Sequence, residues 1–114
     1  MSLKKKILIT GVAGFLGSHL AETLNKLGHH VIGIDNMMGG YADNISKDIE
    51  FYKLDCCDLD KVQDTMKGVD IVYHCAATAH EGLSVFSPYE ITKNNYLASV
   101  SIFTAAINNK VKRI

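Results

Sequence analysis

Apolar residues follow two rhythms along this chain: short unbroken runs, and longer stretches with a helical period. Ile7-Leu-Ile9, Val31-Ile32 with Ile34, and Ile71-Val72 are compact and rich in β-branched residues, a pattern that predicts buried strands. Together with 49–54, these runs predict strands over about 5–10, 30–35, 49–54 and 70–75. Between them the pattern predicts helices over about 14–27 and 59–67, closed by Gly28 and Gly68, and a long helix from Pro88 to about Asn108. A polar loop runs from Asn36 to Asp48, and Lys112-Arg-Ile114 reads as the opening of a fifth strand, cut off. Apolar strands alternating with helices predict an α/β fold, a parallel sheet covered on both faces.

The junction between the first strand and the first helix carries the strongest chemical signal. Gly11, Gly14 and Gly17 recur at intervals of three. Gly11 permits a turn that a Cβ would block, Gly14 lets a diphosphate approach the main chain, and Gly17 lets the helix lie close on the strand. A helix N-terminus there offers unpaired N–H groups and the positive end of its dipole to phosphates. The second strand ends in Asp35, 24 positions after Gly11, near the roughly 20-residue offset of a ribose-binding carboxylate. Either feature alone is weak; together they predict a Rossmann-type dinucleotide site.

Composition narrows the alternatives. A length of 114 residues with 47% hydrophobic content suits one domain spanning 1–114. Net charge is zero and the basic residues form no stripe beyond Lys4-Lys5-Lys6, which argues against nucleic acid as a partner. No run approaches the ~18 uninterrupted apolar residues of a membrane span. Cys56, Cys57 and Cys75 show no metal-ligand spacing, and their odd number argues against a disulfide framework, so no metal site and a cytoplasmic, reduced protein are expected.

These residues resemble the NAD-dependent epimerase/dehydratase family, the extended short-chain dehydrogenases that act on nucleotide sugars. Thr10-Gly-Val-Ala-Gly-Phe-Leu-Gly17 is similar to that family's opening fingerprint. Asp35-Asn36 followed by Gly40 and Asn44-Ile45 is similar to its D-N-x-x-x-G-x-x-x-N loop. Asp55-Cys-Cys-Asp58 matches its G-D-x-x-D segment, with Leu54 in place of the glycine. His74-Cys-Ala-Ala77 is similar to its H-x-A-A strand end, Pro88 with Asn95 matches its P-(x)6-N spacing, and Ala98-Ser99 stands where Gly-Thr is usual.

The resemblance implies NAD as cofactor, with Gly11, Gly14, Phe15, Leu16 and Gly17 opening the site. It implies that Asp35 accepts hydrogen bonds from the adenine ribose and that Asn36 lies against the adenosine. Asp55 and the backbone of Cys56 would hold the adenine edge, Ala76 and Ala77 would line the channel, and Asn95 would pin the loop after the fourth strand. Plainer roles stand beside these. Asp55 and Asp58 suit caps of the following helix, Cys56 and Cys57 suit small fillers, and His74 suits a satisfied strand residue. His80 beside Glu81 makes no catalytic pair by itself.

The family's proton-transfer groups, a Ser or Thr and a Tyr-x-x-x-Lys, lie beyond the fifth strand, so no catalytic residue is expected within 1–114. Tyr89-Glu-Ile-Thr-Lys93 has the spacing but sits before that strand and reads as a coincidence. The chain is therefore expected to be the NAD-binding portion of a nucleotide-sugar epimerase or dehydratase using transient hydride transfer. A non-catalytic dinucleotide-binding regulator or scaffold is the competing reading. The last helix carries Tyr96, Val100, Phe103 and Ile107 on one stripe and Ala98, Ile102 and Ala105 on another. The resemblance implies a homodimer through helix 90–108, with the stripe of Ala98 and Ile102 expected at the subunit contact.

Overall fold

Four strands make one sheet in the order β3-β2-β1-β4: β1 (Lys6–Thr10), β2 (His30–Asp35), β3 (Glu50–Lys53) and β4 (Ile71–His74). Every neighbouring pair is parallel, in registers that set Lys6 beside His30, Ile7 beside Ile71 and Ile32 beside Glu50. The computed structural model describes residues 3–77 and 87–114. α1 (Phe15–Lys26) connects β1 to β2, and α2 (Leu59–Thr65) connects β3 to β4. The loop expected between β2 and β3 contains one 3-10 turn, Ala42–Asn44. Arg113 adds a parallel bridge to Ile71 where the fifth strand is expected, and the Val72 N–H donates to the Arg113 carbonyl at 2.9 Å.

Strand alternation divides the core between two faces. Ile7, Ile9 and Val31 pack with Ala21 of α1 on one face. Leu8, Ile32, Ile34 and Val72 pack on the other with Val62 and Met66 near α2 and with the last helix. The sheet is thus covered on both sides, as the α/β reading requires. Burying each large aliphatic side chain contributes about 1.5–3 kcal/mol, so β1, whose Ile7, Leu8 and Ile9 are almost wholly buried, anchors the fold.

The long helix departs from the sequence expectation. It runs as α3 (Pro88–Thr92), five π-helical residues (Lys93–Leu97), then α4 (Ala98–Asn108). The Cys57 thiol donates to the Lys93 carbonyl at 3.4 Å where the helix widens, and a side chain reaching into the ladder is a known cause of such irregularity.

The two faces of α4 are also the reverse of those expected. Ala98, Ser101, Ile102, Ala105 and Ala106 are buried, whereas Tyr96, Val100, Phe103 and Ile107 are exposed, the last by 76%. Residue size explains the inversion. α4 lies close on the sheet and α2, and small alanines permit that approach where a row of Tyr and Phe would hold the helix off. Ala98 and Ile102 therefore belong to this chain's own core, not to a subunit contact.

Candidate dinucleotide site

A cavity of about 300 Å³ opens beside the C-terminal ends of β1, β2 and β4. Such crevices beyond the strand ends are where open α/β sheets bind ligands. Gly11 and Gly14 form its floor, Asp35 and Asn36 enter from the end of β2, and Asp55 and Cys56 from the segment after β3. Ala76 and Ala77 complete the wall from the end of β4. Eight of the twelve expected residues thus meet at one place.

The glycine turn has steric reasons for its composition. Gly11 has φ of +70°, and a Cβ on it would stand 2.9 Å from the backbone N and Cα of Ala76. A Cβ on Gly17 would overlap the Gly11 carbonyl oxygen and lie 2.8 Å from its carbon, so the first turn of α1 sits directly on the turn. Gly14 is the N-cap of α1, with no side-chain cap and no acidic residue in the first turn. This leaves the helix N-terminus free of competing anions. Phe15 and Leu16 do not line the cavity; their side chains are exposed and they contribute the backbone of that first turn.

Asp35 is buried and holds two backbone donors. Its Oδ2 accepts from the Ala13 N–H at 2.9 Å and its Oδ1 from the Met37 N–H at 2.7 Å. A carboxylate has about four lone-pair sites, so capacity remains for ligand hydroxyls. Met37 takes φ of +66°, rare for a residue with a side chain, and the bond to Asp35 holds it there. The loop then folds back on the glycine turn: the Asn44 side-chain amide and the Tyr41 N–H both donate to the Ala13 carbonyl. Gly40 lies so close that a Cβ there would meet the Ala13 side chain and carbonyl within 2.6–2.7 Å. The Asp35, Gly40 and Asn44 of the sequence motif are thus a clamp on the Ala13 peptide.

Asp55 lines the cavity while its Oδ1 accepts from the Cys57 N–H at 2.8 Å, and Asp58 caps α2 by accepting from the Lys61 N–H. Burial, reinforced by the Asp55 charge, pushes the Cys56 thiol up to about 12, and burial raises Cys57 and Cys75 as well. These are thiols, not thiolates, which agrees with a filling role. His74 is satisfied on both nitrogens, at 2.7 Å from Thr10 Oγ1 and 3.0 Å from Ser99 Oγ, and burial holds its pKa below the ordinary imidazole range.

Asn95, an expected site residue, also lies outside the cavity lining. Asn94 lines the cavity, whereas Asn95 faces a separate open groove with Tyr96, Ser99, Val100 and Phe103. Spacing could not separate these neighbours, because the π-helical turn changes which positions face the sheet. Met38, Leu54 and Ala98 also line the cavity, a place the sequence assigned to none of them. Tyr89 is exposed and outside the cavity lining, so its spacing to Lys93 assembles no acid–base pair there. His80 and Glu81 lie outside the described residues. Among the described residues no cluster of His, Cys, Asp or Glu could hold a metal, and no helix is long and apolar enough to cross a membrane.

Comparison with known proteins identifies a family. Residues 7–114 match the NAD-dependent epimerase/dehydratase family. The chain is similar to a UDP-N-acetyl-alpha-D-glucosaminuronate decarboxylase of Bacillus cytotoxicus, at 34% identity over 98% of this chain and 36% of that one. It superposes on the UDP-glucose 4-epimerase of Thermotoga maritima, solved with UDP-glucose, with a TM-score of 0.91 and 32% identity, covering 94% of this chain and 35% of that one. The Thermus thermophilus UDP-glucose 4-epimerase, solved with NAD, gives 0.87 and 31%, covering 93% and 35%. The chain spans about a third of the length of the relatives it matches.

Proposed function

Because the chain belongs to the NAD-dependent epimerase/dehydratase family, we propose that it is the NAD-binding portion of an enzyme acting on a nucleotide sugar. The carrying observation is the convergence of the glycine turn, Asp35, Asp55 and Ala76-Ala77 on one cavity. The donor set fits the cofactor: an uncapped helix N-terminus for the diphosphate, a buried carboxylate with lone pairs to spare for ribose hydroxyls, and small side chains along the channel. Asn36 would lie against the adenosine, Asp55 and Cys56 at the adenine edge, Asn94 in the opposite wall, and Asn95 at the loop after β4.

Bound NAD supplies a transient hydride acceptor for the sugar. The chain's own residues bind and orient it: the Ala13 clamp fixes the turn beneath the diphosphate, and Asp35 selects a free 2′-hydroxyl over a phosphate. The relatives named above are enzymes, so nothing favours a regulator or scaffold. Three free cysteines suit a cytoplasmic setting, and the exposed face of Tyr96, Val100, Phe103 and Ile107 suits a homodimer.

Calorimetric titration of the chain with NAD and NADP tests the proposal. Saturable NAD binding, at least tenfold tighter than NADP, is expected from losing hydrogen bonds to a charged group worth about 1.5–3 kcal/mol. A folded chain that ignores NAD, or prefers NADP, overturns it.

A further inference from the structure

A chain of hydrogen bonds crosses the fold just behind the cavity wall. The Ser99 hydroxyl donates to the Asn95 carbonyl at 2.6 Å, so its oxygen is an acceptor toward His74 Nε2, 3.0 Å away. Nε2 therefore carries the imidazole proton. A neutral ring then has a bare Nδ1, which accepts from the Thr10 hydroxyl at 2.7 Å. Thr10 Oγ1 in turn accepts from the Ala76 N–H at 3.0 Å. Each donor finds one acceptor in a single direction, from the Ala76 peptide to the π-helical turn.

Both ends of this chain matter to the site. Ala76 lines the cavity, and its backbone is the group against which Gly11 is packed. Thr10 immediately precedes Gly11, and Asn95 follows the cavity residue Asn94. We propose that neutral, Nε2-protonated His74 is a positioning residue for the dinucleotide site, and that protonating it weakens dinucleotide binding. This rests on the NAD reading above. Protonation puts a hydrogen on Nδ1, where the acceptor in reach is Thr10 Oγ1. The Thr10 hydroxyl proton must then turn away, and its oxygen is shared between the imidazolium and the Ala76 N–H. The peptide in the wall loses its undivided acceptor. The groups facing the ring do not titrate in this range: Thr10 from β1, and Ser99 and Phe103 from α4, the last edge-on at 6.3 Å. Cys75, next along β4, is a thiol raised by burial.

Nitrogen-detected NMR of the imidazoles, with NAD titrations between about pH 5 and 8, tests this on the chain itself. The expected signature is an Nε2–H tautomer for His74 and a fall in its pKa on adding NAD. Linkage ties each unit of that fall to about tenfold weaker NAD binding by the protonated form. A His74→Gln variant, which has no imidazole to protonate, should lose this acid weakening of NAD binding. An Nδ1–H tautomer, or a His74 pKa unmoved by NAD, overturns the inference and leaves the NAD reading standing. A folded wild-type chain that binds no NAD at any pH overturns both.

Discussion

The carboxylate of Asp35, at the end of β2, accepts the backbone N–H of Ala13 across 22 residues at 2.9 Å. The residue assigned to the ribose is therefore also a structural pin of the turn assigned to the diphosphate. Asp35→Ala should lose NAD binding and also destabilise the fold by about 1–3 kcal/mol, since the Ala13 and Met37 N–H groups lose their acceptor. Urea melts beside calorimetry check both. Lost binding with unchanged stability would mean that the two N–H bonds carry no net energy.

Gly17 and Gly28 should respond differently to alanine. At Gly17 the new methyl meets the Gly11 carbonyl, so the turn or the helix must shift, costing roughly 2–4 kcal/mol and weakening NAD binding. At Gly28, with φ of +93° and open space around it, the cost is conformational strain of about 1–2 kcal/mol, with NAD binding unchanged. Thermal melts and NAD titration of both variants separate the two cases.

The faces of α4 make opposite predictions for lysine. Ile102→Lys buries a charge in the core and should leave the chain unfolded or grossly destabilised. Phe103→Lys, on the exposed face, should keep the circular dichroism of the fold and shift a homodimer toward monomer in light scattering. A folded Phe103→Lys protein with an unchanged dimer mass would place the contact elsewhere.

Thiol labelling reports on Cys56. Its folded pKa is raised to about 12, so near pH 8 the nucleophilic thiolate is almost absent in the native state. Iodoacetamide at that pH should modify Cys56 at least a hundredfold more slowly in buffer than in denaturant, by mass spectrometry of peptides. The same shift makes folding stability insensitive to this group below its unfolded pKa of roughly 8.5 and lowers stability as pH rises toward 12.

β1, β2 and β4 were legible because they are short, apolar and bounded by glycine or charge, as in Ile7-Leu-Ile9 before Thr10-Gly11, whereas the mostly exposed edge strand β3 carries only Phe51 and Tyr52 as signal. The glycine turn and Asp35 were legible because backbone sterics restrict which residues such a turn accepts. The orientation of α4 was not, since both stripes are apolar and only the close approach of helix to sheet gives the inside to Ala98 and Ala105. Nor was the π-helical turn, which no local composition announces and which separates Asn94 from Asn95. The pairing of Thr10, His74 and Ser99 joins residues from three elements and leaves no mark in the spacing of any one of them.

The central place of β1 also sets an order of events during folding. Its start meets the start of β2 across 24 residues but reaches Asp70, at the entry to β4, across 64. Loop closure over the longer span costs about 0.9 kcal/mol more before any contact offsets it. The β1–α1–β2 unit, which carries the glycine turn and Asp35, should then gain amide protection first in pulse-labelled exchange, with β4 and the cavity wall at Ala76 docking later. On that timetable a newly made chain assembles the glycine turn and its Asp35 pin before the opposite wall closes.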